Sequence, residues 1–385
     1  MTIDGWTAKG FENVREQFEK NFAEGLEVGA SFAAYHRGRK VVDVWGGIAD
    51  EATERPWAED TMCLVYSTTK GVTAICAHQL AQAGRLDTDA PVVTYWPEFG
   101  QAGKESIPVS YLLSHQAGLA WVDEPLTLDE ALAWAPMIHA LERQAPHWEP
   151  GSSQGYHAVT YGYLVGEVIR RVDGRSVGTY MRDEVAEPLG LDFWIGLPEA
   201  EEPRVATLSG GLSTEGVSDE VKAILDQFVG PDTMLGKALT AGGAFQDTGV
   251  FNTRAVHAAE VPAAGGIGDA RSIARMYAAV IGEVDGIRLL SPEQVKIASA
   301  QRTSGPNIVI LNLDLQFGLG FIVQSSLMQL GGPQSFGHFG LGGSAGWCDP
   351  EAELAFGYVM NKLDMGMAGD QRSFSLVNAC YDSIK

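Results

Sequence analysis

The 385-residue sequence predicts an α+β fold: an antiparallel sheet built from both ends of the chain and flanked by terminal helices, with a mainly helical domain inserted between. Three observations predict it. β-rich apolar runs gather near the two termini, helical periodicity opens and closes the chain, and the middle carries helical patterns separated by long loops. With 45% hydrophobic and 20% charged residues the composition is that of an ordinary globular protein, and the length is enough to bury a substantial core.

Over residues 7–24, Phe11, Val14, Phe18 and Phe22 recur at helical spacing, which predicts an amphipathic helix with one face on a core. Its charged face mixes Glu12, Glu16, Glu19 and Glu24 with Lys9, Arg15 and Lys20, without the basic excess of a membrane-surface helix. Residues 29–35 and 40–45 are two β-rich runs joined by His36-Arg37-Gly38-Arg39, a connection short enough for a hairpin. Helical patterns follow at 72–83, 128–143, 161–171, 221–228 and 270–281, and the stretches 188–203 and 230–268 are the least regular. Near the C-terminus, 315–323, 344–348 and 354–360 read as strands and 371–384 as a helix. The expected division is 1–80 with 255–385 as the sheet-bearing domain and 81–254 as the insertion, with no internal repeat and an active site in the cleft between the two.

The formal charge of −22 gives a negative field that repels phosphate backbones and anionic lipid, so neither nucleic acid nor membrane is an expected partner. No run approaches the ~18 apolar residues of a membrane span, and the start Met1-Thr2-Ile3-Asp4-Gly5 lacks the basic and apolar regions of a secretory signal. The expected location is cytoplasmic. Cys63, Cys76, Cys348 and Cys380 are scattered, with no Cys-x-x-Cys pair and no histidine at metal-ligand spacing, and are expected to be reduced and buried.

The strongest chemical signal is Tyr66-Ser67-Thr68-Thr69-Lys70-Gly71-Val72, a hydroxyl and an amine one helical turn apart. A serine hydroxyl needs a proton acceptor to act as a nucleophile near neutral pH, and a desolvated lysine can serve. The helix N-terminus adds N–H groups that favour developing negative charge. The bland alternative is an N-cap serine beside a solvated lysine. Against it, only Lys70 among the ten lysines follows a Ser or Thr at this spacing, and it opens an apolar helix where an idle amine is costly. Two Gly-x-Ser-x-Gly matches compete, at Ser344 and Ser153. No histidine follows Ser344, since His338 is the last of eight, and Pro146 and Pro150 crowd the position of the buried strand that should precede Ser153.

Ser67-Thr68-Thr69-Lys70, the run Leu112-Leu113-Ser114-His115-Gln116-Ala117-Gly118-Leu119, Pro150-Gly151, Gly155-Tyr156-His157-Ala158 and Gly337-His338-Phe339-Gly340 occur in that order. Together they resemble the serine β-lactamase and penicillin-binding-protein superfamily, and most closely its carboxylesterase branch, the family VIII esterases. The resemblance covers nearly the whole chain. It implies a β-lactamase/transpeptidase-like fold, Ser67 as nucleophile, Lys70 sharing protons with it, and Tyr156 as base toward Ser67 and acid toward the leaving group, the proton acceptor of the coupled Lys70–Tyr156 pair being left open. It further implies the backbone N–H groups of Ser67 and Leu341 as the oxyanion hole, and His338, Phe339 and Gly340 as the third motif beside the substrate.

Two departures matter. His338 stands where lactam-binding members carry a permanent lysine cation, and Ala158 stands where they carry an amide-holding asparagine. Both favour a neutral ester over an anionic β-lactam or peptide terminus, and the expected substrate is a short-chain ester. Trp347 and Trp194 are further candidates for the wall of an apolar acyl pocket. No metal or organic cofactor is implied, because nucleophile, base and oxyanion donors all come from the chain. Acyl transfer, weak β-lactamase activity and a catalytically silent binding module remain as alternatives, and the oligomeric state is open.

Overall fold

The structure is a computed structural model and describes residues 2–210, 227–246, 248–364 and 370–385. Its strands are β1 (Ile3–Thr7), β2 (Gly29–His36), β3 (Arg39–Asp50), β4 (Arg55–Pro56), β5 (Cys63–Leu64), β6 (Phe193–Ile195), β7 (Ser209–Gly210), β8 (Gly266–Gly268), β9 (Gln316–Phe317), β10 (Ile322–Val323), β11 (Phe336–Phe339), β12 (Ala345–Asp349), β13 (Leu354–Met360) and β14 (Lys362–Leu363). Nine of them form one antiparallel sheet in the order β1-β3-β2-β13-β12-β11-β10-β9, with β4 on β3. Both ends of the chain therefore build the sheet, and β13 from the C-terminal part pairs along the length of β2. The fold is the α+β arrangement that the sequence predicts.

The β2–β3 hairpin turns on Arg37 and Gly38, both left-handed at φ 51° and 71°, the turn geometry that matches strand twist. Helix α1 (Glu12–Ala23) and the C-terminal helix Gln371–Ser383 pack together, and Val14, Phe18, Phe22, Leu376, Val377, Trp347 and Phe356 share one buried cluster. The helix Ala270–Ile281 packs against β13, β2 and β12. Glycines let it approach: a Cβ on Gly346 would meet Tyr277 Cε2 at 2.4 Å, and one on Gly357 would meet the Ala270 carbonyl at 2.3 Å.

Several expectations change. The N-terminal helix begins at Glu12 rather than residue 7, because Ile3–Thr7 is an edge strand on β3. The single strand expected over 315–323 is the hairpin β9–β10, turning where Gly318 N–H donates to the Phe321 carbonyl and Gly320 sits at φ 87°. The helix expected over 128–143 is two helices, Leu128–Leu132 and Ala135–Arg143, broken at Trp134 with φ 67°. The irregular stretches hold short elements, including β6, β8 and the helix Met234–Thr240. The helix expected over 221–228 lies largely outside the described residues. The four cysteines are free and buried, and among the described residues no helix is long and apolar enough to cross a membrane.

Candidate active site

Helix α2 (Thr68–Gln82) is buried almost all round, its residues from Thr68 to His78 being enclosed. Its start is fixed by the small sheet β5-β8-β6. The Val65 N–H donates to the Gly266 carbonyl at 2.8 Å, and Thr69 Oγ1 accepts from the Gly266 N–H at 2.9 Å. Between them Tyr66 takes a left-handed φ of 43° under the Phe251 ring, 4.9 Å away. A non-glycine residue held there costs about 1–3 kcal/mol, a local strain that throws the next residue outward at the helix start.

That next residue is Ser67. It occupies the N-cap position of α2, yet its side chain makes no capping hydrogen bond, so the bland N-cap reading does not describe it. Its Oγ lies 2.9 Å from Lys70 Nζ, and the Tyr156 phenol also hydrogen-bonds to it. Lys70 is fully buried, with Nζ donating to the carbonyls of Ala158 at 2.6 Å and Ala263 at 2.9 Å and lying 4.9 Å from the centre of the Tyr156 ring. Burial without a counter-charge holds the Lys70 amine well below the usual lysine range. Burial pushes the Tyr156 phenol up, although its bond to Ser67 opposes the shift. The two shifts run in opposite directions, the amine down and the phenol up, and both favour the uncharged forms.

Tyr156 is placed by groups that carry no motif. Its N–H donates to Asn307 Oδ1 at 3.1 Å, and the same oxygen receives the N–H groups of Val309 and Ile310. His115 and His157 brace the segment: the His157 N–H donates to His115 Nδ1 at 3.1 Å, and the Leu119 N–H donates to His157 Nε2 at 2.9 Å. The His115 ring lies 4.9 Å from that of Tyr156. Ala158, Ala263 and Asn307 lay beyond sequence reasoning, since the first two act through main-chain oxygens and the third is one asparagine in a loop.

The third motif lies on β11, and its end abuts Val65, two residues before Ser67. His338 pairs with Gly346 across the sheet and its ring is 6.3 Å from Tyr156. It is 1% exposed, with Nδ1 on the Phe339 carbonyl at 2.7 Å and Nε2 enclosed. Burial brings its pKa down to about 3, so the imidazole is neutral. Its place is behind Tyr156 and Lys70. Phe339 faces away, 5.1 Å from Trp347 and 5.8 Å from Phe374.

Gly340 lies so close to Val65 that an added Cβ would meet that carbonyl at 2.1 Å. Leu341 opens a tight turn after it. Among the described residues, the N–H groups of Ser67 and Leu341 donate to no protein acceptor. Trp347 is fully buried in the core shared with α1, and Trp194 is half-buried on β6 opposite Ile267, in the small sheet. Of the two Gly-x-Ser-x-Gly serines, Ser153 sits in a loop, while Ser344 is buried beside the site. Among the described residues, no group of three or more His, Cys, Asp or Glu is gathered as a metal centre.

A family model described as Beta-lactamase matches residues 18–377. The esterase/beta-lactamase LipL of Mycobacterium tuberculosis is 37% identical over 352 residues, covering 87% of this chain and 77% of that protein. A crystal structure of a family VIII carboxylesterase superposes with a TM-score of 0.90 at 37% identity over 100% of both chains. A penicillin-binding protein homolog from Caulobacter crescentus superposes with a TM-score of 0.88 at 38% identity, again over 100% of both.

Proposed function

We propose, from the premise that the chain belongs to the Beta-lactamase family, that it is a serine carboxylesterase acting on neutral, short-chain esters through a Ser67 acyl-enzyme. The observation that carries this reading is the buried Lys70 amine 2.9 Å from Ser67 Oγ, with its other two contacts both carbonyl oxygens. A neutral amine has two N–H donors and one lone pair. The carbonyls of Ala158 and Ala263 take the donors, so the lone pair is left for the Ser67 hydroxyl proton.

Ser67 Oγ attacks the ester carbonyl as its proton passes to Lys70, and the carbonyl oxygen gathers charge against the N–H groups of Ser67 and Leu341. Collapse of this intermediate breaks the bond to the alkoxide, which takes a proton from the Tyr156 phenol. The Lys70 proton then restores the phenol. Water attacks the acyl-enzyme by the same route and releases the acid. The relatives named esterase and carboxylesterase support ester hydrolysis. The neutral His338 supports a neutral substrate, since no cation stands there to hold a carboxylate.

The expected division into 1–80 with 255–385 and an insertion at 81–254 places Ser67 and Lys70 in the first part and Tyr156 in the second, so the site straddles the seam. Turnover of p-nitrophenyl acetate and butyrate beside a chromogenic cephalosporin tests the reading. Ester turnover that disappears in Ser67→Ala and exceeds lactam turnover is the expected result. Faster lactam hydrolysis, or ester turnover that survives Ser67→Ala, contradicts it.

A further inference from the structure

Ser344 matches a nucleophile motif yet has no acid-base partner of its own, and it is 1% exposed within the site. Its Oγ donates to the Val65 carbonyl at 2.7 Å. A hydroxyl has one hydrogen, so the 3.0 Å contact with Thr68 Oγ1 has Thr68 donating and Ser344 accepting. Both partners flank the nucleophile: Val65 lies two residues before Ser67, and Thr68 follows it. The rest of Ser344 belongs to the turn that carries Leu341, where its carbonyl accepts the Gly340 N–H at 2.8 Å. One side chain thus joins the two segments whose Ser67 and Leu341 N–H groups donate to no protein acceptor among the described residues. We propose that Ser344 is a positioning residue that sets the separation of the two halves of the oxyanion hole, the Ser67 N–H and the Leu341 N–H.

Three further features fit a strut rather than a core serine. Gly340 leaves no slack, since a Cβ there would meet the Val65 carbonyl at 2.1 Å and Ser344 Oγ at 2.2 Å. The far side of the turn is held by Arg372, 3% exposed, whose Nη2 donates to the Gly342 carbonyl at 2.5 Å. Gly343 rests on Asp370, whose Oδ2 a Cβ would meet at 2.2 Å. With the turn fixed from the start of the C-terminal helix, Ser344 ties it to the segment that carries Ser67. Oxyanion donors act only when held where charge develops, so a loosened hole lowers the rate without weakening ground-state binding.

The inference rests on Ser67 being the nucleophile, and the test separates the two. Wild type and Ser344→Ala are first labelled with a fluorophosphonate and mapped; kcat, KM and the affinity for an arylboronic acid, a mimic of the tetrahedral oxyanion, are then measured. Ser344→Ala is expected to keep its label on Ser67, to lose at least ~10-fold in kcat with KM within about twofold, and to lose boronate affinity in proportion. Thr68→Val is expected to show the same pattern, Thr68→Ser to restore wild-type values, and the double variant to be less than additive. If Ser344→Ala does not fold, the Thr68 pair decides alone. Unchanged kcat and boronate affinity overturn the proposal, as does a label on Ser344. No label on Ser67 in the wild type overturns the underlying site reading instead.

Discussion

Replacing Lys70 by methionine tests the protonation state on which the chemistry turns. Methionine approximates the length of the side chain but offers neither a basic nitrogen for the Ser67 proton nor N–H donors for the carbonyls of Ala158 and Ala263. Loss of a positioned base costs about 100-fold to 10,000-fold in kcat, or about 3–5 kcal/mol of barrier. Stability carries the sharper signature. The folded-state pKa of Lys70 lies well below its ordinary 10.5, so between the two values the unfolded chain binds a proton that the folded protein does not. Wild-type stability relative to Lys70→Met therefore rises with pH on the acid side of 10.5, by up to about 1.4 kcal/mol per pH unit. Two orphaned carbonyls cost the variant about 1–3 kcal/mol each at every pH, which moves the offset and leaves the slope. Urea melts of both proteins at pH 7 and pH 9.5, compared as differences, read the slope directly. A difference independent of pH would mean that Lys70 is an ordinary ammonium in the folded protein, and the neutral-amine mechanism would fall.

Tyr156→Phe is expected to lower kcat by about 100-fold on alkyl esters and less on p-nitrophenyl esters, whose leaving group needs no proton; steady-state kinetics on both series check this. His338→Gln is expected to resist acid better than the wild type. His338 has a folded pKa of about 3 against 6.5 when exposed, so its share of stability is complete above pH 6.5 and is lost as pH falls from 6.5 towards 3, a few kcal/mol in all; denaturant melts at pH 7 and pH 4 measure it. Glu27 works the other way: burial outweighs the Arg372 guanidinium and raises its carboxyl to about 7. The folded protein binds the extra proton, so stability falls as pH rises from 4.5 through 7, and Glu27→Gln is expected to flatten that limb in the same melts. Gly340→Ala is expected to abolish turnover, because its Cβ would need the space 2.1 Å from the Val65 carbonyl; activity and circular dichroism together report whether the fold survives.

The sheet was legible from both ends because its long strands are apolar runs of the right length, and β13 matches the expected 354–360. β1 escaped because Ile3-Asp4-Gly5-Trp6-Thr7 is a short, half-exposed edge strand with a glycine at its centre. The strands that seat Ser67 are two or three residues long, below any periodicity. Trp134 and Tyr66 take left-handed geometry that their residue types do not announce. In the site, Ser67 and Lys70 were legible as a local pair and Tyr156 through the set of motifs around it. The proposed direction of proton flow was not, since it depends on burial and on two main-chain carbonyls from distant segments. Ser344 was visible as a motif whose meaning changed once its partners were known.

The proposed chemistry stands on Ser67 as the nucleophile of an acyl-enzyme. Reaction of the full chain with a fluorophosphonate, followed by peptide mapping, tests it most directly. The expected result is one adduct per chain on Ser67, absent in Ser67→Ala and formed more slowly in Lys70→Met. An adduct on Ser344, Ser153 or any other residue, or none at all on folded protein, would contradict the account.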